Sequence, residues 1–428
     1  MKYTLTHCKL VDVTDQCTVK ECSIQVENGR FTKIGPDVPA EGKIFDLEGQ
    51  YIMPGLINLH AHLFGTGTPS KILAGGSAQK LVLKLAHTAV GAKVLDQLVA
   101  QNARNELLGG TTSVRAVGDF MHSDIRLRDK IRHGKVIGPR LWVSGPAITV
   151  PTGHGDGTFA VTATQPDDLR RLVRENVEAG VDLIKICVTG GVMDAKKKGE
   201  PGELKMNLEQ TKAVCDEAHR LGKMVASHTE SASGVAVAAQ AGVDTIEHSA
   251  PFDPEDLEAF KARGGAVIMT FSPALVLAKL PPELTKLNEL CVYNSDVVLQ
   301  GMIASGKQCL AAGAHVGMGT DASCPFTTQY NMCKEVYYFA KFLEVSNAVA
   351  LRTATLGNAE IIGKERLTGS IEPGKSADYI VMRENPVENL RALEHLTMVA
   401  CRGGIIRNPV PQRSEKLEAE LEQMIAKL

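Results

Sequence analysis

The sequence predicts a (β/α)8 barrel with a small β-sandwich domain that is built from both ends of the chain. From Gly55 to about Gly363, short apolar strand patterns alternate with amphipathic helical patterns. Eight such units over roughly 300 residues match the size of a barrel of this kind. Before and after this region, strand patterns occur without a helical period. We therefore predict a small β-sandwich domain from residues 1–54 and 364–410, a barrel over residues 55–363 and a C-terminal helix over residues 411–428.

The flanking strands are expected to pair with one another, because neither end alone has enough strands for a stable sheet. The turn signal at Asn28-Gly29 joins two of the N-terminal strands as a hairpin. The predicted flanking strands are Val11–Val13, Cys22–Val26, Phe31–Ile34, Gly369–Ile371, Tyr379–Met382, Thr397–Cys401 and Gly404–Arg407. The last segment, Ser414–Leu428, has an apolar helical face. We favour docking of this helix on its own chain over a contact within a homo-oligomer.

Eight apolar segments are predicted as the strands of the barrel. Each is short enough to be a buried parallel strand, and helical patterns such as Leu208–Leu221 and Asn294–Ala312 separate them. The predicted barrel strands are Gly55–Leu63, Thr111–Val117, Arg140–Ser144, Leu183–Thr189, Met224–His228, Thr245–His248, Ala266–Phe271 and His315–Asp321.

Composition and charge limit the classes of partner. The 428 residues include 47 basic and 49 acidic side chains, a formal net charge of −2, without long blocks of one sign. Proteins that bind nucleic acid or anionic membranes usually carry a basic patch, and no apolar stretch approaches the roughly 20 residues that span a bilayer. The ten cysteines are scattered without a C-x-x-C pair, which fits a reducing compartment. We expect a cytoplasmic protein that binds neither nucleic acid nor membrane.

Two histidines at the end of the first barrel strand are the strongest local signal. His60 and His62 belong to the segment Asn58-Leu59-His60-Ala61-His62. Side chains two apart on a strand point to the same face, so both imidazoles can reach one metal ion. A lone H-x-H pair also arises from packing, but this one lies where the active sites of barrel enzymes are found.

Four further residues at later strands fit the same site. His228 and His248 close the fifth and sixth predicted strands, and Asp321 closes the eighth, where a carboxylate can bind a metal and accept a proton from water. Lys185 lies within the fourth strand, where a bare ammonium group is costly to bury. Carboxylation by CO₂ would turn this lysine into a bridging ligand for two cations. A salt bridge to an acid on a neighbouring strand is the alternative.

The order of these residues along the barrel resembles the amidohydrolase superfamily, in its binuclear branch with a bridging carboxylated lysine. Within that branch the chain is similar to the imidazolonepropionase-like group, which includes prolidase-type Xaa-Pro dipeptidases. The resemblance covers nearly the whole chain from residue 50 to about 385. The matching stretches are Met53–His62, Gly109–Gly118, Asp182–Val192, Ala218–His228, Ala241–Ser249, Gly317–Phe326 and Gly369–Val381.

The resemblance implies two divalent metal ions, and zinc is the usual metal, with manganese or iron as alternatives. The first ion would bind His60, His62 and Asp321. The second would bind His228 and His248, and carboxylated Lys185 would bridge the two.

The implied reaction is hydrolysis of a C–N bond by a metal-activated water, with Asp321 carrying the proton to the leaving amine. Implied substrates are small amides: Xaa-Pro dipeptides, other carboxypeptidase substrates or N-acyl amino acids. A cyclic amide or enamide hydrolase is the alternative, and a mononuclear deaminase has no use for Lys185.

Three residues are candidates for contact with the substrate. His154, in the glycine-rich segment 152–157, resembles part of a Gly-His-Gly-Asp loop and could polarise the scissile carbonyl; a surface histidine on a loop is the alternative. Arg115 ends the second strand and could bind a substrate carboxylate or form a structural ion pair. Glu230, two residues beyond His228, would favour a substrate with a cationic or hydrogen-bond-donating group, or would face a neighbouring helix.

Overall fold

A computed structural model of the chain describes residues 2–70 and 77–428. Its strands are β1 (Lys2–Asp12), β2 (Thr18–Glu27), β3 (Arg30–Gly35), β4 (Lys43–Asp46), β5 (Tyr51–Pro54), β6 (Leu56–Ala61), β7 (Thr111–Ala116), β8 (Arg140–Val143), β9 (Ala147–Thr149), β10 (Ala160–Thr162), β11 (Ile184–Cys187), β12 (Val225–Thr229), β13 (Thr245–His248), β14 (Ala266–Met269), β15 (His315–Met318), β16 (Tyr379–Met382), β17 (Leu396–Cys401) and β18 (Gly404–Arg407).

The helices follow the strands of the central region and also close the chain. They are α1 (Ser77–Ala86), α2 (Ala89–Leu108), α3 (Ser123–Arg132), α4 (Pro166–Glu178), α5 (Leu208–Arg220), α6 (Ala232–Ala241), α7 (Pro254–Ala262), α8 (Phe271–Lys279), α9 (Pro282–Thr285), α10 (Glu289–Ala311), α11 (Met332–Leu343), α12 (Asn347–Arg352), α13 (Asn358–Ile361) and α14 (Glu415–Ile425). Local sequence explains several starts: α5 begins with a capping box between Asn207 and Gln210, and α7 begins with Asp253 as N-cap before a proline. Among the described helices, none is long and apolar enough to cross a membrane.

Strands from both ends of the chain form one sheet. Its order is β18-β17-β16-β5-β1-β2-β3, with β4 paired beside β1. The two ends meet where β5 pairs antiparallel with β16, from Tyr379 opposite Pro54 to Met382 opposite Tyr51. A separate apolar cluster of this sheet includes Tyr3, Phe31 and Tyr379. The domain boundaries at residues 54 and 364 stay a prediction.

Two predicted strands of this sheet need correction. The first strand runs from Lys2 to Asp12 rather than over Val11–Val13 only. Its pairing register shifts at a bulge between Leu5 and Cys8. Because the bulge interrupts the alternation of buried and exposed residues, the sequence pattern does not reveal the full strand. Gly369–Ile371 is not a strand. Gly369 has a φ of 92°, in the left-handed region, so the backbone bends there instead of extending.

Eight parallel strands build the central barrel in two hydrogen-bonded arcs. One arc is β6-β7-β8, and the other runs from β11 through β15, with β9 and β10 at its edge. Backbone bonds connect the arcs on both sides: the amide of Asp321 donates to the carbonyl of His60 at 2.7 Å, and the amide of Asp182 donates to the carbonyl of Val143 at 2.7 Å. The carboxyl ends of these strands therefore point to one mouth.

The C-terminal helix α14 packs on its own chain. Ser414 caps its first turn, and Leu417, Leu421 and Met424 are buried. The ammonium of Lys334 in α11, which is 3% exposed, lies 2.7 Å from a carboxylate oxygen of Glu422 in α14. These contacts hold α14 against the rest of its own chain.

Candidate metal centre

Every predicted ligand position lies in one cavity at the carboxyl ends of the barrel strands. The cavity has a volume of about 580 Å³. Its lining includes the four strand-end histidines, Lys185 and Asp321, and also His154 and Glu230: His60, His62, His154, Lys185, His228, Glu230, His248 and Asp321. Residues spaced over more than 260 positions in the sequence are thus brought to one place by the barrel.

Asp321 lies between the two histidines of the H-x-H pair. Its Oδ1 is 3.4 Å from Nε2 of His60 and 3.2 Å from Nε2 of His62. Burial alone would raise the pKa of Asp321, but His60 and His62 together hold it well below its ordinary value. The carboxylate is therefore ionised at neutral pH. Asp321 lies three residues beyond the end of β15, rather than within the strand as predicted.

The other two histidines complete the cluster on the opposite side. The ring centroids of His228 and His248 are 4.7 Å apart, and those of His60 and His248 are 4.9 Å apart. Burial lowers the pKa of both His228 and His248 well below the ordinary value for histidine, so both imidazoles are neutral, which is the form that binds metals. Nitrogen or oxygen atoms of His60, His248 and Asp321 lie within 4.8 Å of one another, as do those of His228, Glu230 and His248.

Outer partners hold three of these imidazoles in place. Nδ1 of His60 lies 2.8 Å from Glu247, Nδ1 of His62 lies 2.6 Å from the carbonyl of Gly118, and Nδ1 of His248 lies 2.6 Å from the hydroxyl of Thr270. In each case Nε2 is the remaining nitrogen. Metal-binding histidines are commonly oriented by a carboxylate, carbonyl or hydroxyl on the other ring nitrogen.

Two of the ligand candidates have strained backbones. His248 has a φ of 66° and Asp321 a φ of 53°, both in the left-handed region that residues with a side chain rarely occupy. Strain of this kind persists where the surrounding structure enforces it, and it concentrates at functional sites. The backbone amide of Asp321 donates to the carbonyl of His60. This bond fixes the position of Asp321 relative to β6, the first strand of the barrel.

Lys185, in β11, lines the same cavity. The residue is 1% exposed, and its Nζ is buried and makes no hydrogen bond with any described residue. The described part of the chain also offers no carboxylate within 4 Å of Nζ, so the salt-bridge alternative is not seen. Burial is the main cause that lowers the pKa of Lys185. Buried polar groups in proteins are normally hydrogen-bonded, so the buried Nζ of Lys185 requires an explanation.

Arg115 does not line this cavity, which corrects its predicted role in binding a substrate carboxylate. It is 2% exposed. Its guanidinium donates to both carboxylate oxygens of Glu247, at 2.7 and 2.8 Å, and to the carbonyl of Leu59 at 2.6 Å. Arg115 therefore forms a buried ion pair with Glu247, as the structural alternative predicted. Glu247 in turn contacts His60, one of the candidate metal ligands.

We expect Glu247→Gln to lower the free energy of unfolding by about 3–5 kcal/mol, because it leaves the buried guanidinium of Arg115 without a counter-charge. Urea denaturation of the variant and the wild type measures the difference. The matched control is Glu175→Gln, which removes the carboxylate of an exposed pair with Arg171 and should change stability little. Equal unfolding curves for Glu247→Gln and the wild type would contradict a structural role for the buried pair.

His154 lies against the ligand cluster rather than at a free surface. Its ring stacks on that of His228, with centroids 4.1 Å apart and planes at 9°. Its Nδ1 contacts a carboxylate oxygen of Asp194, and the same oxygen accepts from the amide of Gly191 at 3.1 Å. This arrangement fixes the orientation of the imidazole and leaves Nε2 as its unengaged nitrogen.

Glu230 lines the same cavity. Its amide donates to the hydroxyl of Thr189 at 3.0 Å, and its Oε2 is buried without a hydrogen-bond partner among the described residues. Burial, together with the nearby carboxylates of Asp321 and Asp194, raises the pKa of Glu230 well above its ordinary value. A cation bound beside this side chain favours its ionised form again. The side chain of Glu230 therefore faces the cavity, which is the first of the two predicted alternatives.

Two residues of the site escaped sequence reasoning. Glu247 directly precedes His248, and only its contact with Arg115 across the barrel shows its role. Asp194 follows the fourth barrel strand in the segment Thr189-Gly190-Gly191-Val192-Met193-Asp194. Its place after a strand end was a usable signal, because loops at this end of a barrel carry active-site groups.

The chain belongs to the amidohydrolase family, which it matches over residues 51–407. The solved structure of a candidate prolidase from Bifidobacterium longum is similar, with 35% identity, a TM-score of 0.86 and 99% coverage of each chain. Ochratoxinase from Aspergillus niger is 25% identical over 372 residues, 80% of this chain and 72% of that protein. Imidazolonepropionase from Geobacillus kaustophilus is 23% identical over 394 residues, 86% of this chain and 85% of that protein. The predicted family and barrel fold are confirmed, and the chain is a hydrolase that acts on carbon–nitrogen bonds.

Proposed function

We propose that the chain hydrolyses an amide or peptide-like C–N bond in a small-molecule substrate with the help of two divalent metal ions, which we take to be zinc. The observation that carries this proposal is the cluster of four imidazoles, one carboxylate and one unpartnered lysine in a single cavity. Nitrogen and oxygen donors of this kind suit zinc. Similarity to a candidate prolidase at 35% identity supports a dipeptide as substrate.

The ligand set that we propose is the one implied by membership of the amidohydrolase family. His60, His62 and Asp321 would hold one ion, and His228 and His248 the other. Lys185 would bridge the two as a carbamate, which would give its buried terminus the partners it lacks as an amine. When bound, the ions would lower the pKa of a water molecule and polarise the scissile carbonyl.

Residues of the chain supply the remaining steps. The ionised carboxylate of Asp321 accepts a proton from the attacking water and passes it to the leaving amine. With its Nδ1–H held by Asp194, the doubly protonated ring of His154 would donate from Nε2 to the carbonyl oxygen of the substrate as negative charge develops there. The Asp194 carboxylate accepts from Nδ1 of His154, which stabilises the doubly protonated ring and keeps Nε2 directed at the substrate.

We expect Asp194→Asn to lower kcat about 10- to 100-fold, as the loss of a group that orients an active-site imidazole commonly does. Steady-state kinetics on the best substrate measures this. His154→Ala should cause a similar loss, and the double variant should lose little more, because both changes remove one interaction. Additive losses in the double variant would contradict this dependence of His154 on Asp194.

The proposed function is tested with purified protein loaded with zinc and supplied with bicarbonate. Metal content is measured per chain, and hydrolysis is measured on Xaa-Pro dipeptides, N-acyl amino acids and cyclic amides. Two metals per chain with turnover of a dipeptide or N-acyl amino acid support the proposal. Turnover of a cyclic amide alone favours the imidazolonepropionase-like alternative. One metal with release of ammonia from an amine favours a deaminase and overturns the assignment of Lys185.

We further propose that the protein acts in the cytoplasm. All ten cysteines are unpaired, and nine of them are buried. Thiols are kept in this state in reducing compartments.

A further inference from the structure

Glu230 is an acidic side chain of the cavity that the proposed hydrolysis does not use. It lies on the loop between β12 and α6, and the bond from its amide to Thr189 anchors the backbone there. One of its carboxylate oxygens lies within 4.8 Å of imidazole nitrogens of His228 and His248. A substrate group that contacts Glu230 therefore lies beside the reacting carbonyl.

The other acidic side chains that line the cavity already have partners. Asp194 contacts His154 and the amide of Gly191. Asp156 accepts from the amide of Thr152 at 2.8 Å, and Asp321 contacts two imidazoles. Within the described part of the lining, Glu230 is the carboxylate that retains a buried oxygen without a partner. A buried acceptor left unpaired is unfavourable, so a ligand that brings a donor to this place is favoured.

Among the described residues, no cationic side chain pairs with Glu230. Apart from the histidines, the cationic side chains in the described lining are Lys185 and Lys286. Lys185 is the proposed bridging ligand, and the ammonium of Lys286 donates to the carbonyl of Glu283 at 2.5 Å. The missing donor is thus most simply supplied by the substrate.

We propose that Glu230 binds the α-ammonium group of the substrate, so that the enzyme selects dipeptides with a free amino terminus over N-acyl amino acids. This inference rests on the proposed amide hydrolysis. In a dipeptide the ammonium nitrogen is two bonds from the scissile carbonyl carbon, which matches a carboxylate placed beside His228 and His248. An N-acyl amino acid has no charge at that position. A carboxylate here also offsets the repulsion between an ammonium group and the proposed metal ions.

The competing role for Glu230 is that of a metal ligand, because the same short distances to His228 and His248 would allow it. The two roles differ in their consequences. A metal ligand affects metal content and every substrate alike, whereas an ammonium-binding residue affects only substrates that carry the charge.

The test compares alanyl-proline with propionyl-proline, and alanyl-leucine with propionyl-leucine. The members of each pair differ only by the ammonium group. We expect wild-type protein to prefer the alanyl member by at least about 10²-fold in kcat/KM, since a site built for a polar group strongly rejects the analogue that lacks it. Glu230→Gln should lower kcat/KM for the alanyl member by about 10- to 100-fold and leave the propionyl member within about threefold of its wild-type value, with metal content unchanged.

Controls separate the outcomes. Glu209→Gln makes the same chemical change on the exposed surface of α5 and should match the wild type. Glu230→Asp keeps the charge and should retain part of the preference, which keeps the test decisive if the glutamine variant is poorly folded. Equal wild-type rates within each pair, an equal loss on both members, or loss of metal from Glu230→Gln would overturn the inference while amide hydrolysis stands. A metal-loaded wild type that cleaves no amide in the wider panel overturns the proposed function and this inference with it.

Discussion

Asp321→Asn should lose turnover by at least about 10²-fold, the lower end of the contribution of general acid–base catalysis, while it retains most of its bound metal. The substitution keeps the size of the side chain and one oxygen that can contact a metal, but it removes the proton acceptor. The carboxylate is ionised at neutral pH, because His60 and His62 hold its pKa well below the ordinary value. It lies between the imidazoles of His60 and His62, and in the proposed mechanism this is the position of the attacking water.

The measurement is kcat on the best substrate together with metal content per chain. Asp216→Asn is the matched control, because it makes the same change in an exposed ion pair with Lys212. Turnover near the wild-type value with full metal content would assign the proton transfer to another group, and His154 would be the first to test. Loss of metal together with turnover would instead show that Asp321 acts mainly as a ligand.

Lys185→Ala should lose turnover by more than about 10²-fold, because even the groups that orient metal ligands contribute 10- to 100-fold and Lys185 is proposed as a ligand itself. Formate or acetate should restore part of the activity by occupying the space that the lysine side chain leaves. Lys185→Met is the control: it fills that space and cannot form a carbamate, so added carboxylates should not rescue it. Activity is measured with and without each carboxylate.

A second measurement examines the carbamate directly. Protein loaded with metal and labelled bicarbonate should show a ¹³C carbamate signal that Lys185→Met lacks. A bare ammonium group in such a sample would contradict the bridging role. Activity of Lys185→Met near that of the wild type would contradict it as well.

The positions of the candidate ligands could be predicted because their signals are local. The H-x-H spacing places His60 and His62 on one face of a strand, and His228 and His248 each end a short apolar run. The strand-end rule of parallel barrels then brings them to one mouth. Their convergence in one cavity is a finding of the structure, whereas their role as ligands stays a prediction.

What could not be predicted depends on contacts through space. Arg115 carries the same local signal as a substrate-binding arginine, and only its contact with Glu247, 132 positions away, shows that it belongs to a buried ion pair. Asp194 was missed for a related reason, since its contact with His154 joins two loops that follow different strands. At the N-terminus, the bulge between Leu5 and Cys8 breaks the alternation on which strand prediction relies.

The pairing of β5 with β16 has a consequence for the order of events during synthesis. β5 ends at Pro54, and its partner begins at Tyr379, so the ribosome must translate the whole barrel before the partner strand exists. At about 5–20 residues per second, this interval lasts roughly 15–65 seconds. Throughout it the nascent chain carries an open strand edge, the kind of surface that pairs with other chains. Chaperone demand in the cell should therefore fall on the N-terminal strands, and a release of the chain before residue 379 would leave that edge permanently open.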